Sequence, residues 1–244
     1  VNPPLSAALP DDFLLSVVMP VYNEQRTLRE IVAQVLAVPV RKELILVDDG
    51  SKDASRTILA ELAAAHPEVR VFEHAQNRGK GAALRTGFEQ ARGAVVVVQD
   101  ADLEYDPRDY PVLLAPILRG EADVVYGSRY LIDERDPGRE RDHFYHYFGN
   151  RVLTFCSNLF TGLNLTDMET CYKCFRREVL RDLRIQSRRF TVEPEFTAKV
   201  ARLSVRIHEV PIRYRGRKYS EGKKITWRDG LAALWAIVKY RFVR

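Results

Sequence analysis

Asp100 and Asp102 end the stretch A-V-V-V-V-Q-D-A-D, Ala94 to Asp102, in which an apolar run too short for a helix breaks abruptly into two carboxylates. Side chains two apart on an extended chain point the same way, so Asp100-Ala101-Asp102 would present both acids together at a strand's C-terminal end. Two hard oxygen ligands make an incomplete cage. Mg²⁺ or Mn²⁺ accepts such a cage when water and a substrate diphosphate fill the remaining positions. A bare D-x-D also occurs in ordinary solvated turns, so its meaning depends on what surrounds it.

The elements that must position these acids can be read from the apolar pattern. Four consecutive valines suit a strand buried on both faces of a parallel sheet, because β-branched side chains fit the pleat. Strands are expected over Ser16 to Val21, Glu43 to Val47, Val69 to Glu73, Ala94 to Gln99 and Asp123 to Gly127. Helices are expected between them: Gln25 to Ala37 capped by Asn23, a second capped by Asp53 and running to Ala65, then Gly79 to Arg92 and Arg108 to Arg119. Pro20 should end the first strand as a central ladder. Strand and helix alternate with short connections, which predicts an α/β fold with a mostly parallel, Rossmann-like sheet wound by right-handed crossovers. In such a sheet Pro20 to Glu24, Asp48 to Ser51 and Asp100 to Asp102 gather on one rim. A rim so acidic binds an anion only with a cation between them. A metal-bridged nucleoside diphosphate meets that condition, with Asp48 or Asp49 accepting from base or ribose groups.

The chain has 244 residues, 46% of them hydrophobic, enough to bury a real core. A tail over residues 1–12 and one domain over 13–244 are expected, the latter divided into a nucleotide half at 13–130 and an acceptor half at 131–244. In the acceptor half, Tyr147 to Phe160, Glu195 to Ala201 and Trp227 to Phe242 read as helices, and Val205 to Val210 and Ile212 to Tyr214 as strands parted by Pro211. Asp133 to Asp142 is densely charged around a Pro-Gly, as in a surface turn or a lid.

Net charge is +5, yet Arg202 to Arg244 holds twelve Lys or Arg against three acids, +9, which leaves −4 for the remainder. That excess points to an anionic partner: phosphate, an acidic membrane surface or nucleic acid. Nucleic acid fits least, because the acidic rim repels a polyanion and the aromatic residues show no single-strand stacking pattern. Three cysteines, Cys156, Cys171 and Cys174, make no disulfide framework and suit a reducing compartment such as the cytoplasm; the lone C-x-x-C reads as buried thiols rather than a zinc site. Apolar runs such as Leu231 to Val238 fall short of the ~20 residues that span a bilayer, and the first residues lack the basic start and apolar core of a secretion signal. A protein lying on a membrane is compatible with this pattern, and the last helix, with an apolar stripe beside Arg228, Lys239 and Arg241, could be core or an interfacial face. Gly79-Lys80-Gly81 lacks the third glycine of a dinucleotide fingerprint and has no Walker-type G-K-[ST]; Lys80 is either a nucleotide neighbour or a solvated lysine.

P-V-Y-N-E (Pro20 to Glu24), V-D-D-G-S (Val47 to Ser51), N-R-G-K-G (Asn77 to Gly81), Q-D-A-D-L-E (Gln99 to Glu104) and G-S-R-Y (Gly127 to Tyr130) follow one another in a pattern that resembles family-two glycosyltransferases of the GT-A fold. Within them the pattern is most similar to the dolichyl-phosphate mannose synthase branch, which moves sugar onto a polyprenyl phosphate. Asp167 to Phe175, Glu193 to Phe196 and R-K-Y-S-E-G-K-K (Arg217 to Lys224) resemble its later blocks. The resemblance implies that Pro20, Tyr22, Glu24 and Asp49 hold the nucleoside, that Asp100, Asp102 and Glu104 hold the metal, and that Arg129, Arg151, Arg217 and Lys223 or Lys224 meet phosphates. Glu104 stands where mannose synthases show Gln, and D-M-E-T-C-Y-K replaces D-P-x-S-G-F, which leaves the donor open among UDP-hexose, UDP-N-acetylhexosamine and GDP-mannose. The implied reaction is a single inverting displacement onto polyprenyl phosphate by a peripheral enzyme of the cytoplasmic membrane, with a separate membrane-anchoring protein as a further expected partner. A polysaccharide, protein or small hydroxyl acceptor would instead require a carboxylate base, for which Asp167 and Glu169 are the candidates.

Overall fold

The computed structural model describes residues 9–10, 12–133, 144–187, 191–216 and 227–243. Seven strands form one sheet: β1 (Leu15–Val21), β2 (Lys42–Asp48), β3 (Val69–Glu73), β4 (Val95–Val98), β5 (Val124–Ser128), β6 (Lys173–Arg176) and β7 (Ile207–Pro211). Their spatial order is β3-β2-β1-β4-β6-β5-β7. All run parallel except β6, which is antiparallel to both β4 and β5. The helices α1 (Leu28–Ala37), α2 (Ser55–Ala65), α3 (Lys80–Gln90) and α4 (Tyr110–Leu118) join the first five strands. The second half adds α5 (Phe144–Thr161), α6 (Arg177–Asp182), α7 (Val192–Val200) and α8 (Trp227–Phe242).

The strand order reverses direction between β1 and β4, because β2 and β3 are laid to one side of β1 and β4 to the other. The crevice beyond the C-terminal ends of strands at such a reversal is where open α/β sheets bind ligands. Pro20 to Glu24 leave β1 there, and Asp100 to Asp102 leave β4 beside them. Pro20 itself keeps its register with Val47 on β2, while the ladder to β4 has already ended at Val18 and Val98. The missing N–H therefore removes no bond that β4 could have made.

Two expectations are corrected and one strand is added. The segment before Arg177, to which the sequence pattern assigns no element, supplies β6, a central strand whose Lys173, Cys174 and Phe175 are all fully buried. A lysine at the head of a short strand hid it. Past Pro211 no second strand forms; Tyr214 makes only an isolated bridge to Tyr105. Asn23 does not cap α1: it takes a left-handed backbone, φ +54°, and its Oδ1 accepts from Lys52 N at 2.8 Å, while α1 starts after Thr27. Asp53, by contrast, does accept from Ser55 N at 2.9 Å at the head of α2. Most of the charged run after Asp133 lies outside the described residues.

The core fills both faces of the sheet, and Phe88, Phe175 and Phe196 meet at centroid distances of 5.6–6.4 Å beneath α3. Close approach of α3 to β1 requires Gly87, where a Cβ would lie 2.3 Å from Val18 Cγ1. Gly87→Ala is therefore expected to lower the free energy of unfolding by about 1–3 kcal/mol through overpacking, despite the better helix propensity of alanine. A urea titration that shows an unchanged midpoint would contradict this packing account.

Candidate active site

The loops after β1 and β2 are tied to one another. Asn23 N donates to Ser51 Oγ and Glu24 N to Ser55 Oγ, each at 3.0 Å. Thr27 Oγ1 lies 2.8 Å from the carbonyl of Ala101 and 3.2 Å from Glu24 Oε2, which brings the first loop against the D-A-D turn. Pro20, Tyr22 and Glu24 are each partly exposed on this rim. Asp48 is fully buried, accepting from Ser51 N and from Arg56 Nε at 2.9 Å. Asp49 accepts from Arg78 N at 2.9 Å and Gly79 N at 2.6 Å, and meets His74 Nδ1 at 2.7 Å. Both acids thus fold the loops around the crevice, and Asp48 contributes from inside the protein.

At the end of β4, Gln99 fixes where the chain turns. Its Oε1 accepts from Tyr110 at 2.8 Å and Tyr172 at 2.7 Å, and its Nε2 donates to the Asp100 carbonyl at 3.1 Å. Asp102 is buried and accepts from Glu104 N at 3.1 Å, whereas Asp100 keeps part of its carboxylate exposed. Lys80 is not the solvated lysine of one sequence reading: its Nζ sits 2.9 Å from Asp100 and 3.2 Å from Glu193. Burial alone would lower the Lys80 pKa, but Asp100 and Glu193 outweigh it and hold it well above the ordinary lysine value. Glu193 also binds Lys173, whose Nζ donates to the carbonyls of Met168 and Thr170. Charges therefore alternate from Asp100 through Lys80 and Glu193 to Lys173.

A second line of contacts leads from Glu104. Its Oε2 accepts from Tyr214 at 2.9 Å, and the Arg129 guanidinium lies 5.1 Å over the Tyr214 ring. Arg129 is buried and grips Asp167 with two bonds of 2.7 Å, from Nε and Nη2. Glu209 holds the backbone N–H groups of Thr166 and Asp167 at 2.7 and 3.1 Å. Arg151 reaches the Thr166 carbonyl at 3.3 Å from the exposed side of α5. Arg217, Lys223 and Lys224 lie outside the described residues. Cys171 and Cys174 are buried thiols, their pKa values pushed up by burial, and among the described residues no group of three or more His, Cys, Asp or Glu side chains is placed to hold a metal. Asp100 and Asp102 remain as two strand-end carboxylates, and that donor set fits a cation whose other ligands are diphosphate and water.

Sequence reasoning missed Lys173, Glu209 and Tyr214 as parts of this site. A lysine inside the C-x-x-C, Cys171-Tyr172-Lys173-Cys174, was the available signal for the first. Glu169 is the acid left over: its Oε1 is buried and finds no hydrogen-bond partner among the described residues. Burial, reinforced by Glu193 and partly offset by Lys173 and Arg129, pushes its carboxyl up to about 7.

A sheet of this order with two acids at its reversal point is the architecture of the GT-A class. The chain belongs to glycosyl transferase family 2, whose model matches residues 16–184. It is 29% identical over 218 residues to the dodecaprenyl-phosphate galacturonate synthase of Rhizobium johnstonii, covering 86% of this chain and 61% of that protein. It is 31% identical over 215 residues to the undecaprenyl-phosphate 4-deoxy-4-formamido-L-arabinose transferase of Pseudomonas fluorescens, covering 86% and 59%. The chain thus spans about three fifths of the length of these curated relatives. Its fold is similar to that of glucosyl-3-phosphoglycerate synthase from Mycobacterium tuberculosis in complex with Mn²⁺, uridine diphosphate and phosphoglyceric acid, with a TM-score of 0.72 over 98% of this chain and 82% of that one, at 22% identity.

The Glu169 carboxyl sets a pH dependence. With a folded pKa near 7 against an ordinary 4.5, the folded state holds the proton more tightly, so wild-type stability declines as pH rises from about 4.5 and levels off above about 7. Glu169→Gln removes that loss. Its melting temperature should exceed that of the wild type increasingly across this window, by an amount equivalent to about 1–3 kcal/mol. A difference in melting temperature independent of pH would show that the carboxyl titrates normally.

Proposed function

We propose that this protein is a metal-dependent inverting glycosyltransferase that moves a sugar from a UDP-hexose, UDP-N-acetylhexosamine or GDP-mannose to a polyprenyl phosphate. The observation that carries the reading is the placement of Asp100 and Asp102 at the sheet's reversal point, with Asp100 braced by Lys80. The two relatives named above both act on polyprenyl phosphates, which supports the acceptor class. A neighbour of the same fold seen with Mn²⁺ and uridine diphosphate supports a divalent cation and a nucleotide donor.

Asp100 and Asp102 would hold Mg²⁺ or Mn²⁺, which when bound supplies positive charge against a departing diphosphate. Pro20, Tyr22, Glu24 and Asp49 line the nucleoside side, and Lys80 keeps Asp100 in place as an anion. A phosphate monoester has a second pKa near ~6 and is already a nucleophile at neutral pH, so it needs placing more than it needs a base. Asp167 holds two nitrogens of Arg129; Nη1 makes no hydrogen bond among the described residues and is the nitrogen assigned to an acceptor or donor phosphate. Arg151, Arg217 and Lys223 are assigned to the same anions. The acceptor oxygen attacks the anomeric carbon from the face opposite the diphosphate, which leaves with the bonding electron pair and inverts the centre. Residence at the cytoplasmic membrane surface, with a separate anchoring protein, belongs to the same reading.

A hydroxyl acceptor is the second reading, and one observation favours it: Asp167 is committed to Arg129, but Glu169 has a carboxyl near 7, suited to a general base. Labelled nucleotide sugars incubated with Mg²⁺ or Mn²⁺ and polyprenyl phosphate separate the two, since the first reading alone sends label into the organic phase. Asp102→Asn is expected to cut that transfer at least ~100-fold with the fold intact by circular dichroism. Full turnover in this variant, or in excess chelator, would count against metal-borne catalysis. Glu169→Gln should leave lipid-phosphate transfer within about tenfold of wild type, whereas loss of a general base costs ~10²–10⁴.

A further inference from the structure

α5 is built inside out. Thr154 and Ser157 face the interior, whereas Phe148, Val152, Phe155 and Leu159 face solvent, with Phe155 62% and Leu159 68% exposed. Their spacing of four, three and four residues is that of a single helical stripe. α8, which packs against α5, repeats the pattern: Ala233, Ala236, Ile237 and Tyr240 are buried, while Leu231, Trp235, Val238 and Phe242 are exposed, Trp235 by 61% and Phe242 by 75%. Two neighbouring helices each offering four large apolar side chains to water is a pattern that marks an interaction surface.

We propose that the outer faces of α5 and α8 together form a docking surface for an anionic phospholipid bilayer. Charge identifies the occupant. Lys239 stands 4.8 Å over the Trp235 ring, Arg241 and Arg151 are exposed beside the stripes, and Arg202 to Arg244 carries a net charge of +9. Aromatic and aliphatic side chains bordered by lysine and arginine suit the boundary of headgroups and acyl chains, where each basic residue near an anionic surface adds electrostatic attraction. A second copy of the chain would bring like charges together around the same stripes, which disfavours a self-complementary contact. Among the described residues no helix is long and apolar enough to cross a membrane.

The placement of α5 gives this surface a direction. From its inner side Thr154 Oγ1 accepts from Met168 N at 3.1 Å and Asn150 reaches the Tyr130 hydroxyl at 2.9 Å. The helix that meets lipid outside therefore holds, inside, the loop that carries Asp167 and the partner of Arg129. The docking face builds on the lipid-linked acceptor proposed above, yet vesicle binding measures it without any sugar transfer.

Flotation on a density gradient tests it, with vesicles of phosphatidylcholine containing phosphatidylglycerol and vesicles of phosphatidylcholine alone. The wild type is expected to float with the anionic vesicles and at least tenfold less with the neutral ones. Trp227→Phe leaves Trp235 as the reporter, since the chain has two tryptophans, and its emission should shift to the blue on binding. Phe155→Asp with Trp235→Asp should reduce flotation at least tenfold while the melting temperature and nucleotide-sugar stabilisation stay unchanged. Retention of the wild type at the bottom of the gradient, binding that the double variant leaves intact, or a concentration-dependent dimer that the double variant abolishes without any vesicle binding would each overturn the proposal. Vesicle binding together with a lack of lipid-phosphate transfer would leave the docking face standing and remove the acceptor reading instead.

Discussion

The site depends on one constraint: carboxylates gathered at a buried strand end must each find a positive partner or give up their charge. Taking an ion out of water costs several kcal/mol even after relaxation, and only close opposite charges and hydrogen bonds offset that. The chain meets the constraint by alternation. Asp100, Lys80, Glu193 and Lys173 form one sequence of charges and Asp167 with Arg129 another, and the backbone carbonyls of Met168 and Thr170 complete the shell of Lys173. At Glu169 the charges of Lys173 and Arg129 only partly offset burial and the neighbouring Glu193, so its carboxyl keeps its proton up to about pH 7.

These pairs also explain why the fold spends so much of its second half on one loop. Residues 166–172 touch α5 through Thr154, Glu209 just after the start of β7, Arg129 after β5 and Tyr105 after the D-A-D turn. A polar loop held from four sides has few alternative conformations, and rigid placement is what electrostatic stabilisation of a transfer reaction requires. The apolar exterior of α5 is the reverse of the usual arrangement and belongs to the same design, because its interior positions are taken by short hydroxyl side chains that serve the loop.

Much of this was legible in the sequence. The five strand-helix alternations, the D-A-D turn and the long C-terminal helix are local signals, written in valine runs, helical spacing and turn residues. The strand β6 was not legible, since its pattern of a buried lysine, a cysteine and a phenylalanine matches no period, and its partners lie far away in the chain. The same applies to Lys80. Its sequence neighbours suggest an exposed helix start, and only the fold brings Glu193 within 3.2 Å of it. Asp49 was read as a ligand for nucleoside, and its carboxylate also ties His74, Arg78 and Gly79 into a loop, a role visible only once β2 and the start of α3 are adjacent.

The central position of the antiparallel strand has a consequence for how the chain is made. β4 is complete at Val98, but one of its two edges is covered only by β6, which begins at Lys173. A nascent chain emerging from the ribosome therefore carries an all-valine edge, unpaired on that side, until β6 at Lys173–Arg176 has appeared. Such an edge is a template for association with other chains. The interval before residues 173–176 arrive is thus the stage of synthesis at which the valine edge is open to pairing with a neighbouring chain.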